Sequence, residues 1–161
     1  MSENMIKVLF ICHGNICRSP MAEFVFKKIV KDNGLSDKFL INSAATSTEE
    51  IGNGIHHGTK AKLTEMNIPF TSHRAVQITK SDYDNYDYLI AMDSMNLRNM
   101  QRILGFDSQK KVHRLLDFTS CQRDVADPWY TGNFDVTYND IDKGCHALFD
   151  YIKSHDLNFV H

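Results

Sequence analysis

Short apolar runs alternate with amphipathic segments along the chain. The first run, Met5 to Ile11, is mostly apolar and contains several β-branched residues, a pattern typical of a strand that is buried on both faces. Similar runs predict strands at residues 39–45, 87–92 and 112–116. Between them, apolar side chains at helical spacing predict one helix after residue 20, others over residues 57–67 and after residue 94, and a last one through residues 141–152.

Two of these helices carry boundary signals. Ser19 followed by Pro20 is typical of an N-cap and a first helical position, and Asp93 is expected to cap the later helix that stops at Gly105. The alternation of strands and helices predicts a single α/β domain over residues 1–161 with a mainly parallel sheet. Ligands of such sheets bind at the carboxyl ends of the strands, so the segment after the first strand is the best candidate for a site.

Composition and charge narrow the class of protein. The chain has 161 residues, 42% hydrophobic and 24% charged, which is ordinary for a globular domain. Its 18 basic and 20 acidic residues give a net charge of -2, so nothing favours a nucleic-acid partner or an anionic membrane surface. Four cysteines are too few for a disulfide framework. The apolar start lacks the features of a signal peptide, and no run reaches a membrane span of roughly 18 residues. We therefore expect a cytoplasmic enzyme or binding domain, whose oligomeric state the sequence leaves open.

The segment after the first strand has the features of a phosphate cradle. Its backbone N–H groups, at the start of a helix, can converge on an anion, and the helix dipole adds to the attraction. Gly14 permits a positive φ, Asn15 tolerates the left-handed region, and the fork of Arg18 can hold two phosphate oxygens. The same field favours the thiolate of Cys12, which Ser19 can stabilise by a hydrogen bond. The segment is Cys12-His13-Gly14-Asn15-Ile16-Cys17-Arg18-Ser19.

A nucleophile inside an anion cradle indicates phosphoryl transfer through a phosphocysteine. The first step then needs a proton donor for the leaving oxygen, and the second needs a base for water. The best candidate for both is Asp127, which stands before Pro128. Two aromatic residues that follow, Trp129 and Tyr130, can flank a ring-shaped substrate.

These motifs together resemble the low-molecular-weight protein tyrosine phosphatases. The resemblance rests on the Cys12–Ser19 loop near the N-terminus and the Asp127–Tyr130 segment far downstream, and residues 42–47 also fit. It implies a three-layer α/β/α fold with a central four-stranded parallel sheet (phosphotyrosine protein phosphatase I-like). It also implies hydrolysis of phosphotyrosine and small aryl phosphates without a metal or other cofactor. By this resemblance Cys12 is the nucleophile, Arg18 the phosphate clamp and Asp127 the general acid.

The resemblance assigns further residues to the support of the loop. Asn15, Ser19, Ser43 and His73 match the hydrogen-bond network that holds the phosphate loop in its strained shape. Cys17 matches a second loop cysteine that can form a reversible disulfide with Cys12.

Three positions bear on specificity. His13 replaces a smaller or aliphatic residue at the pocket mouth, which can change the leaving-group preference or the pH dependence. Glu49 replaces an aromatic residue of the pocket wall, and its charge would repel acidic sequences beside a phosphotyrosine. Ile16 stands where related arginine phosphatases have threonine, and it favours phosphotyrosine.

Other interpretations are weaker. A thiol-coupled arsenate reductase needs two further cysteines near Cys12, but residues 80–92 contain none. A phosphoprotein-binding module needs only a clamp, whereas this chain also has a nucleophile and an acid. The spacing of His56 and His57 fits no standard zinc site. Cys121 and Cys145 are expected to be packing residues.

Overall fold

A four-stranded parallel sheet forms the centre of the domain. A computed structural model describes residues 5–156, and its strands are β1 (Ile6–Cys12), β2 (Phe39–Ala45), β3 (Tyr88–Ala91) and β4 (Val112–Arg114). They lie in the order β2-β1-β3-β4, and every pairing is parallel. β1 is therefore central, and its last residue, Cys12, pairs with Ala45 at the carboxyl edge of the sheet.

Six α-helices accompany the sheet in the described part of the chain. They are α1 (Arg18–Asp32), α2 (His57–Glu65), α3 (Asp82–Asn85), α4 (Ser94–Leu104), α5 (Pro128–Thr131) and α6 (Phe134–His155). Short 3-10 turns cover Ser36–Lys38 and Leu115–Phe118. Among residues 5–156, no helix has both the length and the apolar character needed to cross a bilayer.

The sheet separates two hydrophobic cores. Val8 and Phe10 of β1 point into the core beneath α1 and α6, whereas Leu9 and Ile11 point into the core beneath α4. The strand is thus buried on both faces, as its continuous apolar run predicts. The predicted three-layer fold with its four parallel strands is confirmed.

Most predicted boundaries lie within a few residues of the observed ones, although α6 begins at Phe134, seven residues before the predicted range. Two further predictions need correction. The fourth strand ends at Arg114, because the chain enters a 3-10 turn at Leu115. Ser19 is not an N-cap: α1 begins at Arg18, the capping position is Cys17, and no side chain caps this end. The cap predicted for the later helix is confirmed, since Asp93 accepts a hydrogen bond from the backbone of Asn96 and Gly105 ends the helix at φ 82°.

Candidate active site

The thiol of Cys12 lies at the end of β1 among hydrogen-bond donors. Its Sγ is 3.0 Å from Ser19 Oγ and accepts a hydrogen bond of 3.2 Å from the backbone N–H of Asn15. Asn15 Nδ2 donates to the same Ser19 oxygen at 2.8 Å, which leaves the hydroxyl hydrogen of Ser19 free to point at the sulfur. A side-chain hydroxyl and a backbone N–H therefore both face the sulfur of the predicted nucleophile.

The backbone around Cys12 turns sharply and leaves further N–H groups unpaired. Within residues 5–156, the N–H groups of His13, Gly14, Ile16 and Cys17 have no protein acceptor. Because α1 begins directly after these groups, the loop can bind an anion through them.

Asn15 carries the backbone strain of this loop. Its φ is 60°, in the left-handed region, as its residue type predicts. Its side chain accepts a hydrogen bond from Val76 N, and its carbonyl oxygen lies 3.0 Å from His73 Nε2. The contact predicted between His73 and the loop is therefore present.

Two predictions about the loop need correction. Gly14 does not have a positive φ, and a Cβ atom there would lie 3.2 Å from Glu50 Cγ, so the Glu50 side chain would have to shift slightly. Ser43 does not contact the loop directly, since its hydroxyl donates to Glu23 of α1 at 2.6 Å. Ser43 thus supports the helix that follows the loop.

Arg18 is almost completely buried, with 3% of its surface exposed, and is surrounded by acceptors. Its Nη1 donates to the carbonyl oxygen of Val125 at 3.1 Å and lies 2.9 Å from Asp93 Oδ2. Its Nη2 lies 3.4 Å from Asp127 Oδ2. Burial opposes the charge of the guanidinium, but the neighbouring charges of Cys12, Asp127 and Asp93 outweigh burial and raise the pKa of Arg18.

The segment that carries Asp127 is anchored to α6. Both guanidinium nitrogens Nη1 and Nη2 of Arg123 contact the buried carboxylate of Asp140, at 2.9 and 2.7 Å. Asp140 also accepts from Ala126 N, and Thr137 Oγ1 donates to the Ala126 carbonyl oxygen at 2.8 Å. Asp127 itself caps α5, because its Oδ1 accepts from Trp129 N at 3.0 Å. The position of the candidate acid is thus fixed from both sides.

One pocket of about 560 Å³ is lined by Cys12, Arg18, Asp93 and Asp127. Its lining includes exposed aromatic and acidic side chains: Trp129 and Tyr130 are 66% and 86% exposed, and Glu49 is also exposed. His13 Nε2 is 3.2 Å from Glu49 Oε2, so two of the residues that are expected to affect specificity contact each other. Of the predicted substrate-binding residues, Ile16 and Cys17 also line the pocket, whereas Asn15 and Ser19 lie buried behind it.

The remaining cysteines and histidines have different environments. Burial, together with the charges of Cys12 and Asp127, raises the pKa of Cys17 to about 12, so this second loop thiol is neutral at physiological pH. Cys145 packs in the core as predicted, but the packing role expected for Cys121 is wrong because its side chain is exposed. His56 accepts a hydrogen bond from Gly58 N and caps α2.

The sequence interpretation missed two carboxylates of this site. The sequence predicts Asp93 only as a helix cap and gives no prediction for Asp140. Asp93 lies two residues beyond the end of β3, and β3 lies beside β1, so the rule that sites form at the carboxyl ends of adjacent strands could have indicated it. Asp140 lies within a long amphipathic helix, and its sequence carries no comparable signal.

Comparisons with known proteins agree with this geometry. The family model described as low molecular weight phosphotyrosine protein phosphatase matches residues 7–157. YfkJ of Bacillus subtilis, a low molecular weight protein-tyrosine-phosphatase, is 42% identical over 151 residues, covering 92% of this chain and 97% of its own. PtpA of Staphylococcus epidermidis is 37% identical over 149 residues, covering 92% and 94%.

Solved structures extend this likeness. The crystal structure of YfkJ has a TM-score of 0.90 at 41% identity, covering 93% of this chain and 96% of its own. A Drosophila arginine phosphatase has a TM-score of 0.83 at 28% identity, covering 94% and 100%. The chain belongs to the low-molecular-weight phosphotyrosine protein phosphatase family.

Proposed function

We propose that this protein is a cysteine-dependent protein tyrosine phosphatase that hydrolyses phosphotyrosine and small aryl phosphates through a phosphocysteine. One observation carries the proposal: Cys12 Sγ, Arg18 and Asp127 line the same pocket, and the sulfur accepts hydrogen bonds at the start of a helix. A reduced, cytoplasmic location is part of the proposal and is supported by the four free cysteines.

In the first step, the Cys12 thiolate attacks phosphorus and the bond from phosphorus to the aryl oxygen breaks. Asp127 gives its proton to the leaving oxygen, so the product is a neutral phenol. The fork of Arg18 and the unpaired N–H groups of the loop stabilise the equatorial phosphate oxygens, where charge is held during transfer.

In the second step, water attacks the phosphocysteine. Asp127, now a carboxylate, takes a proton from this water, the bond between sulfur and phosphorus breaks, and inorganic phosphate leaves. The hydrogen bond between Ser19 and Cys12 favours the thiolate as the leaving group. The cycle thus regenerates both the thiolate and the protonated acid.

The first experiment tests the nucleophile and the acid. Cys12→Ser is expected to abolish turnover of p-nitrophenyl phosphate, and measurable turnover of this variant would contradict the mechanism. Asp127→Asn is expected to slow phenyl phosphate more than p-nitrophenyl phosphate, because the poorer leaving group needs the proton more. Equal slowing of both esters would contradict the role of Asp127 as an acid.

A second experiment addresses the substrate class. Because an arginine phosphatase shares this fold, peptides that carry phosphotyrosine, phosphoserine or phosphoarginine at one position should be compared. We expect phosphotyrosine to be preferred, since Ile16 lines the pocket and two aromatic side chains stand at its mouth. Preferential hydrolysis of phosphoarginine would overturn this part of the proposal.

A further inference from the structure

Asp93 divides its two carboxylate oxygens between a helix and the buried arginine. Oδ1 accepts a hydrogen bond of 2.7 Å from Asn96 N, which caps α4. Oδ2 lies 2.9 Å from Arg18 Nη1. Because β3 is adjacent to β1, Asp93, two residues beyond β3, reaches the arginine of the phosphate loop that follows β1.

The capping role alone does not explain this residue. Neutral Asn and Ser cap helices about as well as Asp, so a helix cap requires no negative charge. A carboxylate that lines a pocket for an anion also repels the phosphate. The second oxygen of Asp93 therefore calls for a role at Arg18.

The contacts of Arg18 define what that role is. Nη1 donates a hydrogen bond of 3.1 Å to the carbonyl oxygen of Val125 and forms an ion pair of 2.9 Å with Asp93 Oδ2. This fixes the rotation of the guanidinium and leaves the edge formed by Nε and Nη2 as the fork for two phosphate oxygens. Asp127 is a looser partner, at 3.4 Å from Nη2.

We propose that Asp93 is a positioning residue that orients the guanidinium of Arg18 for bidentate binding of the transferred phosphoryl group. This inference rests on the proposed phosphatase function. It assigns to Asp93 a role in the rate of phosphoryl transfer in addition to its role in the stability of α4.

Three substitutions separate the two roles. Asp93→Asn and Asp93→Ser keep a capping oxygen and remove the charge, whereas Asp93→Ala removes both. We expect kcat for p-nitrophenyl phosphate to fall at least about ten-fold in all three variants, the factor that corresponds to 1.36 kcal/mol. KM should not rise, because the repulsion of the phosphate falls too. The melting temperature should fall clearly only in Asp93→Ala.

A double-mutant comparison shows whether the effect passes through Arg18. Arg18→Lys removes the fork, so adding Asp93→Asn to it should change kcat less than about two-fold. An equal loss of kcat in both backgrounds would overturn the proposal. So would wild-type kcat in Asp93→Asn and Asp93→Ser, since Asp93 would then be only a cap.

Proton exchange at Arg18 can be measured without turnover, so it tests the positioning role independently of the phosphatase activity. With inorganic phosphate bound, the Arg18 Nε–H proton should exchange with water at least about ten-fold faster in Asp93→Asn than in the wild type, because the guanidinium is less restrained. If no aryl phosphate is hydrolysed but this acceleration is seen, the proposed function fails and the positioning role stands. An unchanged exchange rate overturns the positioning role.

Discussion

Substitutions of Asn15, the strained residue of the phosphate loop, can separate two contributions to the stability of this loop: the backbone conformation and the side-chain hydrogen bonds. Asn15→Gly keeps the left-handed φ of 60° accessible but removes two side-chain hydrogen bonds, to Ser19 Oγ and from Val76 N. Asn15→Ala removes the same bonds and also places a Cβ atom in a conformation that alanine rarely adopts. The difference between the two variants therefore isolates the strain.

The expected magnitudes follow from these contacts. Loss of two hydrogen bonds of about 1 kcal/mol each would destabilise the competent loop conformation by about 2 kcal/mol in Asn15→Gly. Left-handed backbone costs about 1–2 kcal/mol more for alanine. If each 1.36 kcal/mol lowers the rate ten-fold, kcat/KM falls about 30-fold for glycine and roughly another ten-fold for alanine.

The assay is steady-state hydrolysis of p-nitrophenyl phosphate, and the chain supplies a matched control. Asn67, just after α2, has a φ of 59°, so Asn67→Gly and Asn67→Ala impose the same backbone change outside the pocket. These variants should alter the melting temperature without altering kcat/KM. Equal activity of Asn15→Gly and Asn15→Ala, or a loss of activity in the Asn67 pair, would refute the reasoning.

Three further predictions concern the acid segment, the pocket mouth and the core. Hydrogen bonds from Arg123 and from Ala126 N outweigh burial and lower the pKa of Asp140. Its stabilisation is therefore full above about pH 4 and is lost as pH falls through the lowered pKa. Asp140→Asn should thus lower the unfolding free energy, measured by urea denaturation, by about 2 kcal/mol at pH 7 and by less in acid. A difference between wild type and variant that grows in acid would contradict this pH dependence. Glu49→Gln should change the ratio of kcat/KM for acidic phosphotyrosine peptides to kcat/KM for basic ones. At low salt we expect this ratio to rise by at most about five-fold over the wild type, and an unchanged ratio would exclude the charge effect. In Gly144→Ala, the new Cβ would lie 2.5 Å from Leu115 Cγ. The cost of overpacking, about 1–3 kcal/mol, should exceed the gain in helix propensity of about 1 kcal/mol, so the melting temperature should fall. A higher melting temperature would show that the core can rearrange around the added methyl group.

The sequence predicted the fold well because its signals are local. Strand β1 is a continuous apolar run, and α4 carries both its cap, Asp93, and its terminating Gly105 in sequence. The errors arose where a tertiary contact decided between two local options. The hydroxyl of Ser19 could have capped α1, but it bonds to Cys12 Sγ and Asn15 Nδ2 instead.

The site was predictable as far as its residues are close in sequence or typical of the family. The Cys12–Ser19 loop and Asp127 were identified, and the structure brings them to one pocket. Their partners Asp93 and Asp140 contact Arg18 and Arg123 only after the sheet and α6 have packed. Local spacing does not encode such contacts, because they depend on which strands and helices become neighbours.

The two carboxylates that contact Arg18, Asp93 and Asp127, make similar contacts, but they differ in distance and exposure, which favours different roles for them. Each caps a helix with Oδ1 and faces Arg18 with Oδ2. Asp93 is the closer and less exposed of the two, at 2.9 Å from the guanidinium and 17% exposed, whereas Asp127 is at 3.4 Å and 27% exposed. The shorter contact holds Asp93 more tightly to the guanidinium, whereas Asp127 is held more loosely and lies beside the exposed Trp129. Environment rather than residue type thus favours Asp93 as the anchor of the arginine and Asp127 as the acid.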